Sequence, residues 1–288
     1  MSGYRLTSSG PRTAHLVQPP RPARPARPSA RPSVRAPVAF DAMSPPPRRV
    51  RVYSHTAAQY ARGRPDYPGT LVDWVAPQPA NVVDVAAGTG ALTGRLLAGG
   101  HRVVAVEPVA EMLDQLRARH PAAIAVQALA EALPLRTGSA DVVTIAQALH
   151  WLDPTGALDE VARVLRPGGT VLAAYNLMDT SVPWVRRLGS IVADAVADAP
   201  QTTFGDLEPI ADHPAFGPIE TATFRHWHAM TRAQLEDLVA SYAGVASRPP
   251  DERAELARRV DAFFTATSPG LRLQMPYRTE AVKAVVAG

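Results

Sequence analysis

The sequence predicts an α/β domain built on a doubly wound parallel sheet with helices on both faces. Short Val-rich runs recur along the chain, each followed by a stretch of helical periodicity. A Gly-rich turn follows the first of these runs directly, and an acidic residue ends the second. Runs that are apolar at nearly every position suit strands buried on both faces, as in parallel sheets. Right-handed crossovers between them then wind the sheet in both directions.

Taken in order, residues 53–68 open with a short helical stretch that ends in YARGRPDYP, and residues 69–75 form a second helix. Strands are expected at 81–86 (NVVDVA), 102–107 (RVVAVE), 124–128, 141–146 (DVVTIA) and 170–175 (TVLAAY). Helices are expected between them at 91–98, 110–119 and 154–165. Beyond these, residues 182–197 read as a helix. Residues 219–227 alternate apolar and polar side chains, as an added strand does, and 231–242 and 251–267 read as helices. Residues 272–286 read as a strand broken near Pro276, because proline withholds a ladder donor.

Composition narrows the function classes. The chain has 288 residues and no Cys, which excludes disulfides, thiolate metal sites and a cysteine nucleophile. It holds no run of 18 apolar residues, so no membrane helix is expected. The net charge of +4 divides unevenly. Residues 1–49 carry nine Arg against Asp41 alone, a net of +8, and this leaves 50–288 at −4. Lys283 is the only Lys in the chain, so the abundance of Arg reflects a compositional skew and is weak evidence for phosphate binding. The tail 1–49 is dense in Pro and Arg and is expected to be disordered or locally polyproline II. It reads as a solvated tail in preference to a phosphate-attracting arm or a targeting peptide, and Met43 is a candidate start. Residues 50–288 form the domain.

Four segments converge on the carboxyl edge of the predicted sheet, where open α/β sheets bind ligands. In the first, DVAAGTGALTG, Gly88 and Gly90 let the backbone approach a ligand, and Asp84 ends the strand where it could meet an ammonium group. The dinucleotide fingerprint is poorly met, because Thr93 stands where its third Gly belongs. In the second, Glu107 ends its strand, with Pro108 next, and suits the two hydroxyls of a ribose. In the third, LAEALPL, backbone groups of Ala130 and Glu131 could meet an adenine edge, although an ordinary loop explains the segment equally well. In the fourth, AQALHWLD, Gln147, His150 and Trp151 cluster where the reactive end of a ligand would lie. His213, His226 and His228 are scattered, and no metal set is expected.

Together these segments resemble the class I S-adenosylmethionine-dependent methyltransferases, in their small-molecule branch. YARGRPDYP, AQALHWLD and MPYRTEAVKAV are similar to trans-aconitate-methyltransferase-like proteins. The resemblance spans roughly residues 53–286. It implies a Rossmann-like, seven-stranded sheet, mostly parallel, with an antiparallel C-terminal strand. It implies S-adenosylmethionine as cofactor, with Asp84, Gly88 and Gly90 around its methionine part, Glu107 on ribose, Ala130 and Glu131 at adenine, and Ala86, Pro108 and Gln147 among the other cofactor contacts. Tyr60 and Arg64 fall where the family's N-terminal segment closes over the cofactor. Ala86 departs from the family's usual Gly and Leu129 from a frequent Asp. A cytoplasmic enzyme acting on a small organic acceptor by direct in-line displacement is the expectation. His150 and Trp151 would line the acceptor site and residues 231–267 would form a lid. The oligomeric state is undetermined. Two alternatives stay open: a nucleic-acid-modifying enzyme that uses the Arg-rich tail, which the −4 domain disfavours, and a cofactor-binding protein without catalysis. A nucleotide-dependent oxidoreductase on the same fold is a further possibility.

Overall fold

The computed structural model describes residues 52–196, 208–268 and 270–287. The expectation for the tail 1–49 therefore lies outside the described residues. The elements follow in the order α1 (Val52–Gly63), α2 (Gly69–Val75), β1 (Asn81–Val85), α3 (Ala91–Ala98), β2 (Arg102–Val106), α4 (Ala110–Arg119), β3 (Ile124–Val126), β4 (Ala140–Ala146), α5 (Pro154–Val164) and β5 (Leu165–Met178). They continue with α6 (Pro183–Val196), α7 (Glu208–Asp212), β6 (Glu220–Met230), α8 (Arg232–Ala240), α9 (Ala243–Ala246), α10 (Pro250–Thr267) and β7 (Leu273–Val285).

The seven strands form one sheet in the order β3-β2-β1-β4-β5-β7-β6. β1 pairs in parallel with both β2 and β4, which places the winding reversal between β1 and β4. β7 inserts antiparallel between β5 and β6. The seven-stranded, mostly parallel sheet with an antiparallel C-terminal strand is thus as expected.

The Val-rich runs are buried on both faces because successive side chains alternate across the sheet. Val83, Val85, Val143 and Ile145 pack with Leu158 and Val161 of α5 on one face. Val82, Val103, Val142 and Leu172 meet Leu71 of α2 and Leu96 of α3 on the other. Helix α5 begins with Pro154 at its first turn, where a missing N–H costs nothing, and buries Ala157, Leu158, Val161 and Val164 as one stripe. Helix α8 begins with a capping box between Thr231 and Gln234.

Three strands differ clearly from expectation. β5, running from Leu165 to Met178, extends beyond 170–175 at both ends. β3 is shorter, because Gln127 leaves the ladder and its Nε2 donates to the Pro108 carbonyl at 3.0 Å. β7 runs unbroken through Pro276. The carbonyl of Pro276 accepts from Asp179 N at 2.9 Å, so this residue's polar edge faces β5. The β5–β7 ladder ends one residue away, at Met178 and Tyr277, so the absent N–H falls where no strand partner requires it.

A separate core sits beyond the carboxyl edge of the sheet. Val185 and Leu188 of α6, Leu235 and Leu238 of α8, and Val260, Phe263 and Phe264 of α10 close on Met230, Leu273 and Met275. Helix α1 joins this cap across Gly63, where an added Cβ would lie 2.2 Å from the backbone nitrogen of Leu238. Such an approach admits only glycine. Arg62 adds a two-pronged ion pair to Asp237 at 2.7 and 2.8 Å. The residues expected as a lid therefore form a packed cap that α1 fastens to the sheet.

Candidate active site

The site opens between β1 and β4. Two residues other than glycine adopt positive φ here, Ala86 (φ 53) and Gln147 (φ 55), one just past each of these strands. The left-handed region costs an L-residue about 1–2 kcal/mol, and such strain gathers at ligand sites. Gln147 is held in place by its N–H on the Ala174 carbonyl (2.9 Å) and its side-chain amide on the Asn176 carbonyl (2.8 Å).

Asp84 is fully buried at the end of β1. Thr93 Oγ1 donates to one of its oxygens at 2.6 Å and Thr144 Oγ1 to the other at 2.7 Å. Its carboxylate first anchors the turn to α3 and β4. Burial pushes its pKa up to about 6, against the opposing pull of the two hydroxyls.

Glu107 follows β2. Gly88 N–H donates to one oxygen and Val109 N–H to the other, both at 2.9 Å. Burial raises its pKa to about 7, although both amides favour the charged form. A carboxylate has about four lone-pair positions, so each oxygen retains one toward the cleft. Gly88 has φ +57, and a Cβ there would project between Met112 and Tyr60, at 3.8 and 4.0 Å, two residues that wall the cleft. Gly90 serves a different contact. A Cβ on it would fall 2.6 Å from the His120 ring, so this glycine lets α3 and α4 pack, and it does not line the cleft.

Three cavities meet at Tyr60 and Gln147, which line all of them. The first, of about 730 Å³, is walled by Glu107, Pro108, Leu129, Ala130, Glu131 and Trp151. The second, of about 450 Å³, runs past Asp84, Ala86, Gly88, Arg64 and Asn176. The third, of about 1740 Å³, lies under the cap and is walled by His150, Trp151, Arg64, Tyr242 and Tyr277, among others. Every sequence-derived site residue except Gly90 thus lines at least one connected space. Glu131 also receives Asp153 N–H at 3.0 Å, which fixes its loop against the start of α5.

His150 lies in a short 3-10 turn, Leu149–Trp151. Its Nδ1 is 3.2 Å from the Tyr175 hydroxyl, and its ring stacks on Tyr175 with centroids 5.6 Å apart. Trp151 meets the edge of Tyr53 at 6.2 Å. Arg64 lies between two rings, 4.7 Å from the centroid of Tyr60 and 4.8 Å from that of Tyr242, and its Nε donates to Ser241 Oγ at 3.0 Å.

Sequence reasoning missed Tyr53, Asn176, Tyr242 and Tyr277. Asn176 had a signal, being the first polar residue after the apolar run of β5. Its amide donates to the Asp66 carbonyl at 3.2 Å and its oxygen accepts from Thr279 at 2.5 Å, tying the α1–α2 loop to β5 and β7. Tyr277 had one too, standing in the MPYRTEAVKAV segment, whereas Tyr53 and Tyr242 had none, because only the docking of α1 and the cap brings them to the site. Among the described residues no group of three or more His, Asp or Glu is placed to hold a metal, and no helix is long and apolar enough to cross a membrane.

Comparison with known proteins agrees with this geometry. Residues 83–173 match the methyltransferase domain family. An uncharacterized methyltransferase of Mycobacterium tuberculosis is 40% identical over 244 residues, covering 82% of this chain and 96% of its own length. A methyltransferase-like protein of Schizosaccharomyces pombe is 28% identical over 218 residues, covering 74% and 85%. A solved structure described as a type II methyltransferase from Anaeromyxobacter dehalogenans superposes with a TM-score of 0.63 at 22% identity, covering 78% of this chain and 98% of that one, and so shares the fold. The trans-aconitate branch is not singled out by these relatives. The Gly88 cradle and the buried acceptor Glu107 fit a nucleoside bearing an amino-acid chain, and the protein belongs to the class I S-adenosylmethionine-dependent methyltransferases.

Proposed function

We propose that this enzyme methylates a small organic acceptor held in the chamber under the cap. The observation that supports this most is the junction at Tyr60 and Gln147, where the cleft beside Glu107 meets a second, larger chamber under the cap. Residues 50–288 carry a net −4, which repels the phosphates of a polymeric nucleic acid.

In this reading Glu107 accepts from ribose hydroxyls while Pro108, Ala130 and Glu131 border the adenine. Asp84, Ala86, Gly88 and Gln147 surround the methionine chain, with Gly90 supporting the turn from behind. Tyr60 and Arg64 close α1 over the junction. When bound, S-adenosylmethionine supplies a methyl group already activated on sulfonium. The protein's own task is then to align the acceptor in line with that bond and to keep water out. The packed cap provides the exclusion. Tyr175 stacks on the His150 ring and lies 3.2 Å from its Nδ1, so for a hydroxyl or amine acceptor His150 is the positioned base. A carboxylate acceptor needs no base.

Thermal-shift titration with S-adenosylmethionine, S-adenosylhomocysteine and NAD tests the cofactor assignment, since stabilisation by NAD alone would sink it. Release of S-adenosylhomocysteine across an acceptor screen tests the chemistry. His150→Ala and Trp151→Ala are expected to lower turnover while cofactor affinity holds; full turnover in both removes these residues from the acceptor site.

A further inference from the structure

The cleft beside Glu107, the groove past Asp84 and the chamber under the cap share two residues, Tyr60 and Gln147. A sulfonium sulfur carries three carbon substituents. On the methyltransferase reading above, its ribose carbon lies in the cleft, its amino-acid chain in the groove, and its methyl group faces the chamber. The sulfur, bonded to all three, then falls where the three spaces join.

The charges around that point do little to hold a cation. Arg64 lines both the groove and the chamber, and its guanidinium lies 4.7 Å from the centroid of the Tyr60 ring. It brings a positive charge to the junction and engages a face of that ring. The two site carboxylates are occupied elsewhere. Asp84 accepts from two threonine hydroxyls and Glu107 from two backbone amides, and neither lines the chamber.

Gln147 is built differently. Its backbone is held in the left-handed region at φ 55, a strain that persists only where the surroundings fix it. Its N–H on the Ala174 carbonyl and its Nε2 on the Asn176 carbonyl, at 2.9 and 2.8 Å, do the fixing. Because a carbonyl takes the Nε2 side of the amide, Oε1 is the group left over. It accepts no hydrogen bond among the described residues and is not sealed from solvent. Ala86, the other strained residue past a strand, offers only a methyl group.

Building on that same reading, we infer that Gln147 is the residue that senses the charge on the cofactor's sulfur, its Oε1 turned toward the sulfonium and its methyl group. The C–H groups on a positive sulfur are polarised and donate weakly to such an oxygen. A neutral thioether gains nothing comparable. Gln147 thereby favours the methyl donor over the demethylated product, which helps one replace the other after each turnover.

The experiment measures dissociation constants by calorimetry on the full-length protein with three ligands. S-adenosylmethionine carries the sulfonium, sinefungin carries an ammonium group in place of the S-methyl, and S-adenosylhomocysteine is neutral at sulfur. If neither S-adenosylmethionine nor S-adenosylhomocysteine binds, the cofactor reading fails and takes the inference with it. Gln147→Met keeps the length of the side chain and removes the oxygen. It should weaken S-adenosylmethionine and sinefungin by about tenfold, the scale of one interaction with a charged group, and leave S-adenosylhomocysteine within about threefold. Gln147→Glu exchanges the dipole for a full negative charge and should shift the ratio the other way, toward the two charged ligands. Both variants lose the Nε2 contact to Asn176, so general damage to the groove weakens all three ligands alike and leaves the ratio unchanged. With the cofactor reading intact, the inference is overturned if Gln147→Met affects the three ligands equally or not at all, or if both variants move the ratio in the same direction. Should only one variant fold, the direction of its ratio decides.

Discussion

The two sides of the active site treat their polar groups in opposite ways. On the sheet side, Asp84 is met by two threonine hydroxyls and Glu107 by two backbone amides. On the cap side, the Tyr277 hydroxyl has no partner and Arg64 has no carboxylate among the described residues. The sheet side is pre-organised before any ligand arrives, as suits a cofactor that every turnover shares. The cap side leaves these two groups without such partners among the described residues.

The largest test of this contrast is Glu107→Ala. In the proposed reading it removes the ribose acceptor, and it strands two amides, so the dissociation constant for S-adenosylmethionine should rise about 100-fold by calorimetry, given about 1.5–3 kcal/mol for each charge-assisted bond. A change below about threefold would take Glu107 out of the cofactor site.

Next comes the fastening of the cap. Gly63→Ala sets a methyl against the backbone of Leu238, and unfolding stability should fall by about 2 kcal/mol, as overpacking does. Arg62→Ala, which breaks a largely exposed ion pair next door, should cost below about 1 kcal/mol. If denaturant melts rank the two the other way, charge and not close packing holds α1 to α8.

A third test uses pH. Burial lifts the Glu107 pKa to about 7, above its usual 4.5, so the folded protein holds a proton there that the unfolded chain gives up. Its contribution to stability is fully present below about pH 4.5 and is lost as pH rises through 7. In the proposed reading ribose hydroxyls donate to the ionised form, so cofactor affinity should move the opposite way and rise by up to about tenfold between pH 6 and 8. Glu107→Gln should flatten both trends, and a pH slope that persists in that variant points to Asp84, also raised, to about 6. The smallest effect is expected from Ala86→Gly. It relieves a positive φ but adds chain entropy, for a net gain of about 0.5–1 kcal/mol in thermal unfolding.

Legibility in the sequence follows the same division. The strands β1, β2, β4 and β5 can be read because a chain segment buried on both faces must be apolar throughout. The glycine turn and Glu107 can be read because they follow those strands within a few residues. The role of Gly90 could not be read. Its φ of +87 already calls for glycine locally, but the His120 ring just past α4, which a Cβ there would meet at 2.6 Å, is set by the fold. Pro276 looked like a strand break, since the chain does not show that β5 ends beside it.

The sequence by itself determined the wound sheet and the cofactor edge, because burial pattern and turn chemistry are local and repeat along the chain. Only the tertiary structure decided the chamber under the cap. Arg64 meets Ser241 across 177 residues of sequence, and Tyr277 reaches the same space from the last strand. No periodicity links such positions. They become neighbours only when a glycine contact at Gly63 lets α1 dock on the cap and when β7 slides between β5 and β6.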